Sequence, residues 1–394
     1  MCQISRREWL KLASMMSVAG AAPLLTAAAA RAAAEPDAPL RIGYLPITDA
    51  TPLLVAHANG YFEQAGIQAD KPTLLRSWAQ LVEAFLAGQV NAVHLLSPMT
   101  VWARYGSHAP IKVVAWNHVN GSALTVAENI GQLGDLGGKT VAVPFWYSIH
   151  NVVLQRLLAA HGLTPVLKKN AAPAAHEVQL TVMAPSDMPP ALAAGQIAGF
   201  IVAEPFNAAA ENLKVGKVLR FTGDVWKDHA CCVVTMHERD LTARPQWSQK
   251  VIDAIVKAQA WTRAHRDEAA RLLSKEGANH YTPHPFQVLQ RVLAPAADEQ
   301  ARYLADKAIL HADWHAQRID FQPYPYPSYT ETLVRQMQQT QVEGDARFLA
   351  QLDPAFVARD LVDDRFVKQS IAALGGMKAF GLPESWAREE SIVV

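Results

Sequence analysis

The chain has 394 residues, half of them hydrophobic, with 36 basic and 36 acidic side chains and therefore no formal net charge. The absence of a basic excess argues against nucleic acid or an anionic membrane as partner. The length allows two lobes at the usual ~100–200 residues per domain, and ten tryptophans supply bulk for a core.

Ser5-Arg6-Arg7-Glu8-Trp9-Leu10-Lys11 sets two adjacent arginines ahead of an apolar run from Leu12 to Ala30. That run ends in small residues, Ala30-Arg31-Ala32 and Ala32-Ala33-Ala34. A cationic start, a modest apolar middle and a small-residue exit predict a secretory signal peptide over residues 1–34. The arginine pair resembles the twin-arginine export signal, so the expected location is the periplasm. Glu35-Pro36-Asp37 follow at once, which disfavours a membrane-anchoring helix. Cys2 precedes the apolar run and is badly placed for a lipid anchor. Cleavage removes four cations and one anion, leaving a mature charge of about −3, so a bound anion must be held by local groups rather than by an overall field.

Beyond the leader the chain repeats itself. Arg41-Ile42-Gly43-Tyr44-Leu45-Pro46 reads as a short strand closed by proline, followed by a helix from about Thr51 to Gln64. Lys139-Thr140-Val141-Ala142-Val143-Pro144 does the same, with a helix from about Ser148 to Ala160 in which Val152, Val153, Arg156 and Leu157 fall on helical spacing. A second matched pair follows each of these. Ala84-Phe85-Leu86-Ala87-Gly88-Gln89 leads through an apolar stretch to Ser97-Pro98, and Ala191-Leu192-Ala193-Ala194-Gly195-Gln196 leads to Glu204-Pro205. Each reads as a helix end, a glycine stop, a buried strand and a proline restart. Two copies of strand–helix–helix–strand predict two α/β lobes with a cleft between them.

In open α/β sheets ligands bind beyond the carboxyl ends of the strands, where helix N-termini offer unpaired N–H groups. Those turns are Ile47-Thr48-Asp49-Ala50-Thr51, Ser97-Pro98-Met99-Thr100, Phe145-Trp146-Tyr147-Ser148-Ile149-His150 and Glu204-Pro205-Phe206-Asn207, with further helix starts at Ser77-Trp78 and Ser186-Asp187. They nominate Thr48, Asp49, Ser97, Trp146, Ser148 and Glu204 as ligand contacts, although a Ser, Thr or Asp there also serves as an ordinary N-cap.

From Gln246 onward the pattern is largely helical, interrupted by an extended loop from Phe321 to Ser328, where alternate prolines forbid helix. Helix resumes at about Thr330 and continues in pieces to Phe380, as an addition to the first lobe that reaches toward the cleft mouth. Cys231 and Cys232 are adjacent, which strains a disulfide; they read as two buried small hydrophobes. His280 and His284, and His311 and His315 around Asp313, have the four-residue spacing of metal ligands. Pro283 breaks the first pair's helix, and fourteen histidines produce such spacings by chance. No catalytic residue, metal ligand or cofactor is expected, and no phosphate loop, nucleophile elbow or metalloprotease motif occurs.

These residues together resemble the nitrate/bicarbonate branch of ABC-importer substrate-binding proteins, within the wider group that takes up sulfonates, taurine and thiamine precursors. The marks are Gly43-Tyr44-Leu45-Pro46-Ile47-Thr48-Asp49-Ala50-Thr51-Pro52-Leu53, Gly60-Tyr61-Phe62, Gly66-Ile67, Ser77-Trp78, Glu204-Pro205-Phe206-Asn207 and Val225-Trp226-Lys227-Asp228-His229. The resemblance covers residues 40–240 clearly and the helical tail loosely. It implies an α/β, two-lobed periplasmic binding protein fold of type II with a helical C-terminal extension. The chain is expected to cross between lobes near Asn120–Thr125 and again near His229–Val234, which gives lobes 38–122 with 232–394, and 123–231. The resemblance also implies a non-enzymatic importer component that captures a small oxyanion by hinge closure and hands it to an ABC permease in the inner membrane. Trp78, His150 and Lys227 match the positions that surround the oxyanion. Three departures qualify the substrate. Leu95-Leu96-Ser97-Pro98 replaces a Gly-Gly-Gln turn, Asn151 replaces an acidic residue, and the turn before His150 is aromatic. Aromatic walls suit a larger ligand, such as a sulfonate or a heterocyclic thiamine-type precursor. Two alternatives are a pyrimidine-synthase-like enzyme of the same fold family, to which Cys231-Cys232 are faintly similar, and a cytosolic ligand sensor, which the export signal disfavours.

Overall fold

A computed structural model describes residues 38–167, 172–314 and 318–394. The export signal expected over residues 1–34 lies outside the described residues, as does His315. No described helix is long and apolar enough to cross a membrane.

The chain enters a first sheet through β1 (Ile42–Tyr44), β2 (Thr73–Leu74), β3 (Ala92–Leu96) and β4 (Ile111–Trp116). It crosses over through β5 (Val119–Asn120) and builds a second sheet from β6 (Ser122–Val126), β7 (Lys139–Val143), β8 (Thr164–Val166), β9 (Glu177–Val182), β10 (Gly199–Ala203) and β11 (Lys217–Phe221). It then returns to the first sheet as β12 (Cys232–His237) and later adds β13 (Ile319–Asp320) beside β5. The sheet orders are β2-β1-β3-β12-β4 and β11-β6-β10-β7-β9-β8.

The two sheets share one plan. β1 is parallel to β2 and β3, and β7 is parallel to β9 and β10. β12 runs antiparallel to both β3 and β4, and β6 runs antiparallel to both β10 and β11. Each sheet therefore receives one inner strand directly from a crossover. This is the two-lobed architecture of periplasmic binding proteins.

The sequence repeat is the local reason for the shared plan. Gly88 and Gly195 both lie in the left-handed region, at φ 71 and 68, where glycine ends a helix without Cβ strain. β3 and β10 follow, and all ten of their residues are buried. A strand covered on both faces needs a continuous apolar run, and both copies supply one. The predicted helix from Thr51 to Gln64 is instead two pieces, Thr51–Ala58 and Tyr61–Gln64. Gly60 at φ 66 takes the left-handed turn between them.

The tail, expected on the first lobe, divides: Tyr303, Ala308 and Ile309 pack with Ala123, Val218 and Phe221 of the second sheet, and the rest packs on the first. Helix Pro245–Ala264 lies against helices Thr51–Ala58 and Arg365–Ala373. The proline-rich segment is extended through Tyr326, with Phe321, Tyr324 and Tyr326 buried. Helix starts at Pro327 rather than near Thr330, because proline is already set for the first helical position and forfeits no bond there. The last residues fold back as a strap. Lys227 N–H donates to the Ser391 carbonyl at 3.0 Å, and Val393 N–H donates to the Val225 carbonyl at 2.8 Å.

A buried ion pair ties the second sheet to the tail. Arg318 Nε donates to Glu204 Oε1 at 2.7 Å and its Nη1 donates to Tyr303 Oη at 2.9 Å. Removing one partner strands the other charge in the interior, which costs about 3–5 kcal/mol. Urea unfolding should show a loss of that size for Glu204→Gln or Arg318→Met, and a smaller loss for the double variant Glu204→Leu/Arg318→Met.

Candidate functional site

Polar side chains converge where the two crossovers run side by side. Val119 and Ala230 form an antiparallel bridge, and Asn120 N–H donates to the His229 carbonyl at 2.9 Å. The pairing carries His118 and His229 into the interior together with Cys231 and Cys232, all four fully buried. Asp49 comes from the turn after β1, and His150 from the first turn of helix Ile149–Ala160. That helix is capped by Ser148, whose Oγ accepts from Asn151 N–H at 3.1 Å.

The centre is an ion pair. Asp49 Oδ2 lies 2.9 Å from His118 Nε2, with no exposure on either side chain, and Cys232 Sγ donates to the same oxygen at 3.1 Å. Cys231 Sγ sits 3.8 Å from His150 Nε2 and 3.7 Å from Ser122 Oγ. His150 Nε2 also meets Ser122 Oγ at 2.9 Å. Ser97 Oγ meets Tyr329 Oη at 2.8 Å, and both are bonded to the Ala230 carbonyl.

Burial and charge set the protonation states. Desolvation pushes the Asp49 carboxyl up to about 6, and His118 opposes that rise, so Asp49 is ionised at neutral pH. Burial alone would lower His118, but Asp49 and Cys231 outweigh it and raise the imidazole to about 10. Desolvation holds His94 at about 3 and His229 at about 4, so both are neutral. Burial opposes ionisation of Cys231, yet Cys232, His150 and His118 bring its thiol well below the usual range. Burial and the Cys231 sulfur push Cys232 the other way. At neutral pH the Asp49 carboxylate therefore faces the His118 imidazolium, and the two thiols are pushed in opposite directions.

Several of its atoms have no partner. Asp49 Oδ1, Asn117 Oδ1, His118 Nδ1, His150 Nδ1 and His229 Nε2 are buried without a hydrogen bond among the described residues. Each such atom costs about 1–3 kcal/mol, and native interiors carry few of them. Five of them gather around Asp49, which makes this place the candidate site.

Among the residues nominated from sequence, Asp49 and His150 stand in the cluster, and Ser97 stands beside it through Ala230 and Tyr329. Thr48 spends its N–H and Oγ on the Glu204 carbonyl, at 2.9 and 3.1 Å, which joins the two lobes directly. Glu204 turns its carboxylate to Arg318. Ser148 is a cap, and the Trp146 carbonyl accepts from Asn151 Nδ2 at 2.9 Å. Trp78 packs edge-on against His94, whose Nε2 accepts from Leu45 N–H at 3.0 Å. Lys227 Nζ lies over the Trp314 indole, 5.9 Å from its centroid, and is not among the groups that meet around Asp49. The aromatic turn pairs with the first lobe: Tyr147 stacks on Trp102 at 5.8 Å, and Phe145 meets the same indole at 6.3 Å. His280 and His284 bond separately, to the Lys275 and Pro46 carbonyls.

Sequence reasoning did not nominate His118, Ser122, His229, Cys231 or Cys232. A signal was present: each crossover carries a polar residue followed by histidine, Asn117-His118 and Asp228-His229.

The model of the NMT1-like family matches residues 33–275, more than half of the chain. The chain belongs to the NMT1-like family. Among its relatives, a nitrate/nitrite binding protein, NrtA, from Nostoc sp. is 27% identical over 262 residues, covering 61% of this chain and 58% of that protein. A bicarbonate transport ATP-binding protein, CmpC, from Synechocystis sp. is 27% identical over 242 residues, covering 56% of this chain and 35% of that protein. The chain thus spans less than two thirds of the length of either relative. The crystal structure of the periplasmic nitrate-binding protein NrtA from Synechocystis superposes with a TM-score of 0.70 at 19% identity, covering 90% of this chain and 93% of that one. At that identity the likeness establishes the shared fold.

The raised imidazole of this NMT1-like chain has a consequence for stability. A group whose folded value lies above its unfolded one stabilises the fold fully below the unfolded value and loses that contribution as pH rises through the folded one. For His118 the window runs from about 6.5 to about 10. Thermal denaturation at pH 6.5 and 9.5 should show a drop in Tm for the wild-type chain that is clearly smaller in His118→Gln.

Proposed function

We propose that this chain is the extracytoplasmic solute-binding component of an ABC importer, exported through its twin-arginine signal. It captures a small oxyanion of the nitrate, bicarbonate or sulfonate class between its lobes and presents the closed form to an inner-membrane permease. The observation that carries this reading is the pair of unpartnered buried ring nitrogens, His118 Nδ1 and His150 Nδ1, one from each side of the line where the crossovers pair. Family membership and the names of its relatives, which bind nitrate or serve bicarbonate transport, support the solute class.

The mechanism is hinge closure. The bending points are the crossovers, where Asn120, Gly121 and Asp228 adopt left-handed backbone at φ 59, 78 and 49. His150 and the N–H groups of its helix approach from lobe 123–231. Asp49 and His118 wait on lobe 38–122 with 232–394. A solute that bonds both sides stabilises the closed arrangement, which the Thr48–Glu204 contact completes. The donors offered to an anion are His118 Nδ1, whose ring is paired through Nε2 with Asp49, and His150 Nδ1. The chain performs no covalent step in this reading.

A thermal-shift panel of nitrate, nitrite, bicarbonate, an alkanesulfonate, taurine and a thiamine-type pyrimidine tests it. A true solute at a hundred-fold excess over its Kd stabilises by about 2.7 kcal/mol. One member should stabilise the chain, His150→Ala should abolish the shift, and Lys227→Ala should leave it nearly unchanged. A flat response to the whole panel overturns the solute class.

A further inference from the structure

We propose that Asp49, His118, Cys231 and Cys232 form a coordination site for a single thiophilic divalent cation of the zinc class. The site goes beyond solute capture, because its four ligand atoms all belong to the first lobe and the crossovers. One carboxylate oxygen, one imidazole nitrogen and two sulfurs lie within 4.8 Å of one another, every residue buried. A tetrahedral zinc shell built from ordinary Zn–S, Zn–N and Zn–O lengths has ligand-to-ligand edges of about 3.3–3.8 Å. Asp49 Oδ2 is 2.9 Å from His118 Nε2 and 3.1 Å from Cys232 Sγ, so the separations bracket that shell and side-chain rotation must widen the short pairs and draw in the longer ones.

Rigid elements hold the donors. Cys232 opens β12 at the middle of the first sheet, His118 stands two residues beyond β4, and Asp49 sits in the buried turn after β1. Two sulfurs disfavour magnesium and calcium and favour zinc or its neighbours. The second carboxylate oxygen, Asp49 Oδ1, is buried without a partner. Among the described residues no lysine or arginine bonds to any of the four. Ser122 and His150, behind Cys231, are the second lobe's contacts with the site.

The test is a cobalt(II) titration of the full chain under reducing conditions, with zinc competition. Expected are a thiolate-to-cobalt charge-transfer band saturating at one ion per chain, bleaching by zinc, and release of about two protons per ion. Cys232→Ser and His118→Gln should each weaken cobalt binding at least tenfold, while His280→Ala/His284→Ala should bind as the wild type does. Absence of the band in the folded wild-type chain overturns the proposal, as does a full band in Cys231→Ser/Cys232→Ser. The anion panel, run with chelator and with zinc, separates the two readings. Anion stabilisation in chelator without any cobalt band removes the metal site alone. A cobalt band with a flat anion response removes the oxyanion reading alone.

Discussion

The pairing of the two crossovers is the constraint on which the cleft depends. Because Val119 bridges Ala230, the segment leaving the first sheet and the segment returning to it cannot separate. Each crossover then feeds an inner antiparallel strand, β6 on one side and β12 on the other, so neither sheet is complete without the other half's chain. Asn120 Nδ2 donates to Asp228 Oδ1 at 3.2 Å and locks the two left-handed residues together. Asn and Asp are the side chains that tolerate that backbone. Gly223 closes the packing: a Cβ there would fall 2.5 Å from Asn120 Oδ1.

What the sequence discloses follows from how local each signal is. β3 and β10 are legible as apolar runs, and the turns after them as glycine stops and proline restarts, because every residue needed lies within fifteen positions. Asp49 and His150 are legible for the same reason, since each sits just past a recognisable strand. The break at Gly60 is less visible, as the apolar pattern continues across it into Tyr61 and Phe62. His118 and Cys232 are 114 positions apart and meet only through strand order. No window of sequence contains that information. Lys227 shows the other side of locality. Its neighbours resemble a binding motif, but its backbone is held by Ser391 and its ammonium by Trp314, both supplied by a tail whose return no local pattern announces.

The cleft keeps its cations unequally. Arg318 is bound by Glu204 and Tyr303 and stays charged at any ordinary pH, since those partners raise it further against burial. It is a structural cation, and its carboxylate partner is the residue whose carbonyl holds Thr48 across the lobes. His118 is the opposite case. Its charge exists because Asp49 and Cys231 face it, so that charge is removable whenever a stronger acceptor takes the nitrogen's electron pair.

That difference makes the two ligand classes distinguishable by pH. An oxyanion held by the His118 imidazolium needs the proton, so its affinity falls as pH climbs toward about 10. A zinc-class cation needs His118 Nε2 bare and the Cys232 thiol ionised, so its affinity rises over the same range. One buried imidazole therefore gives opposite slopes for the two occupants. Both occupants thus draw on the protonation of the one Asp49–His118 contact.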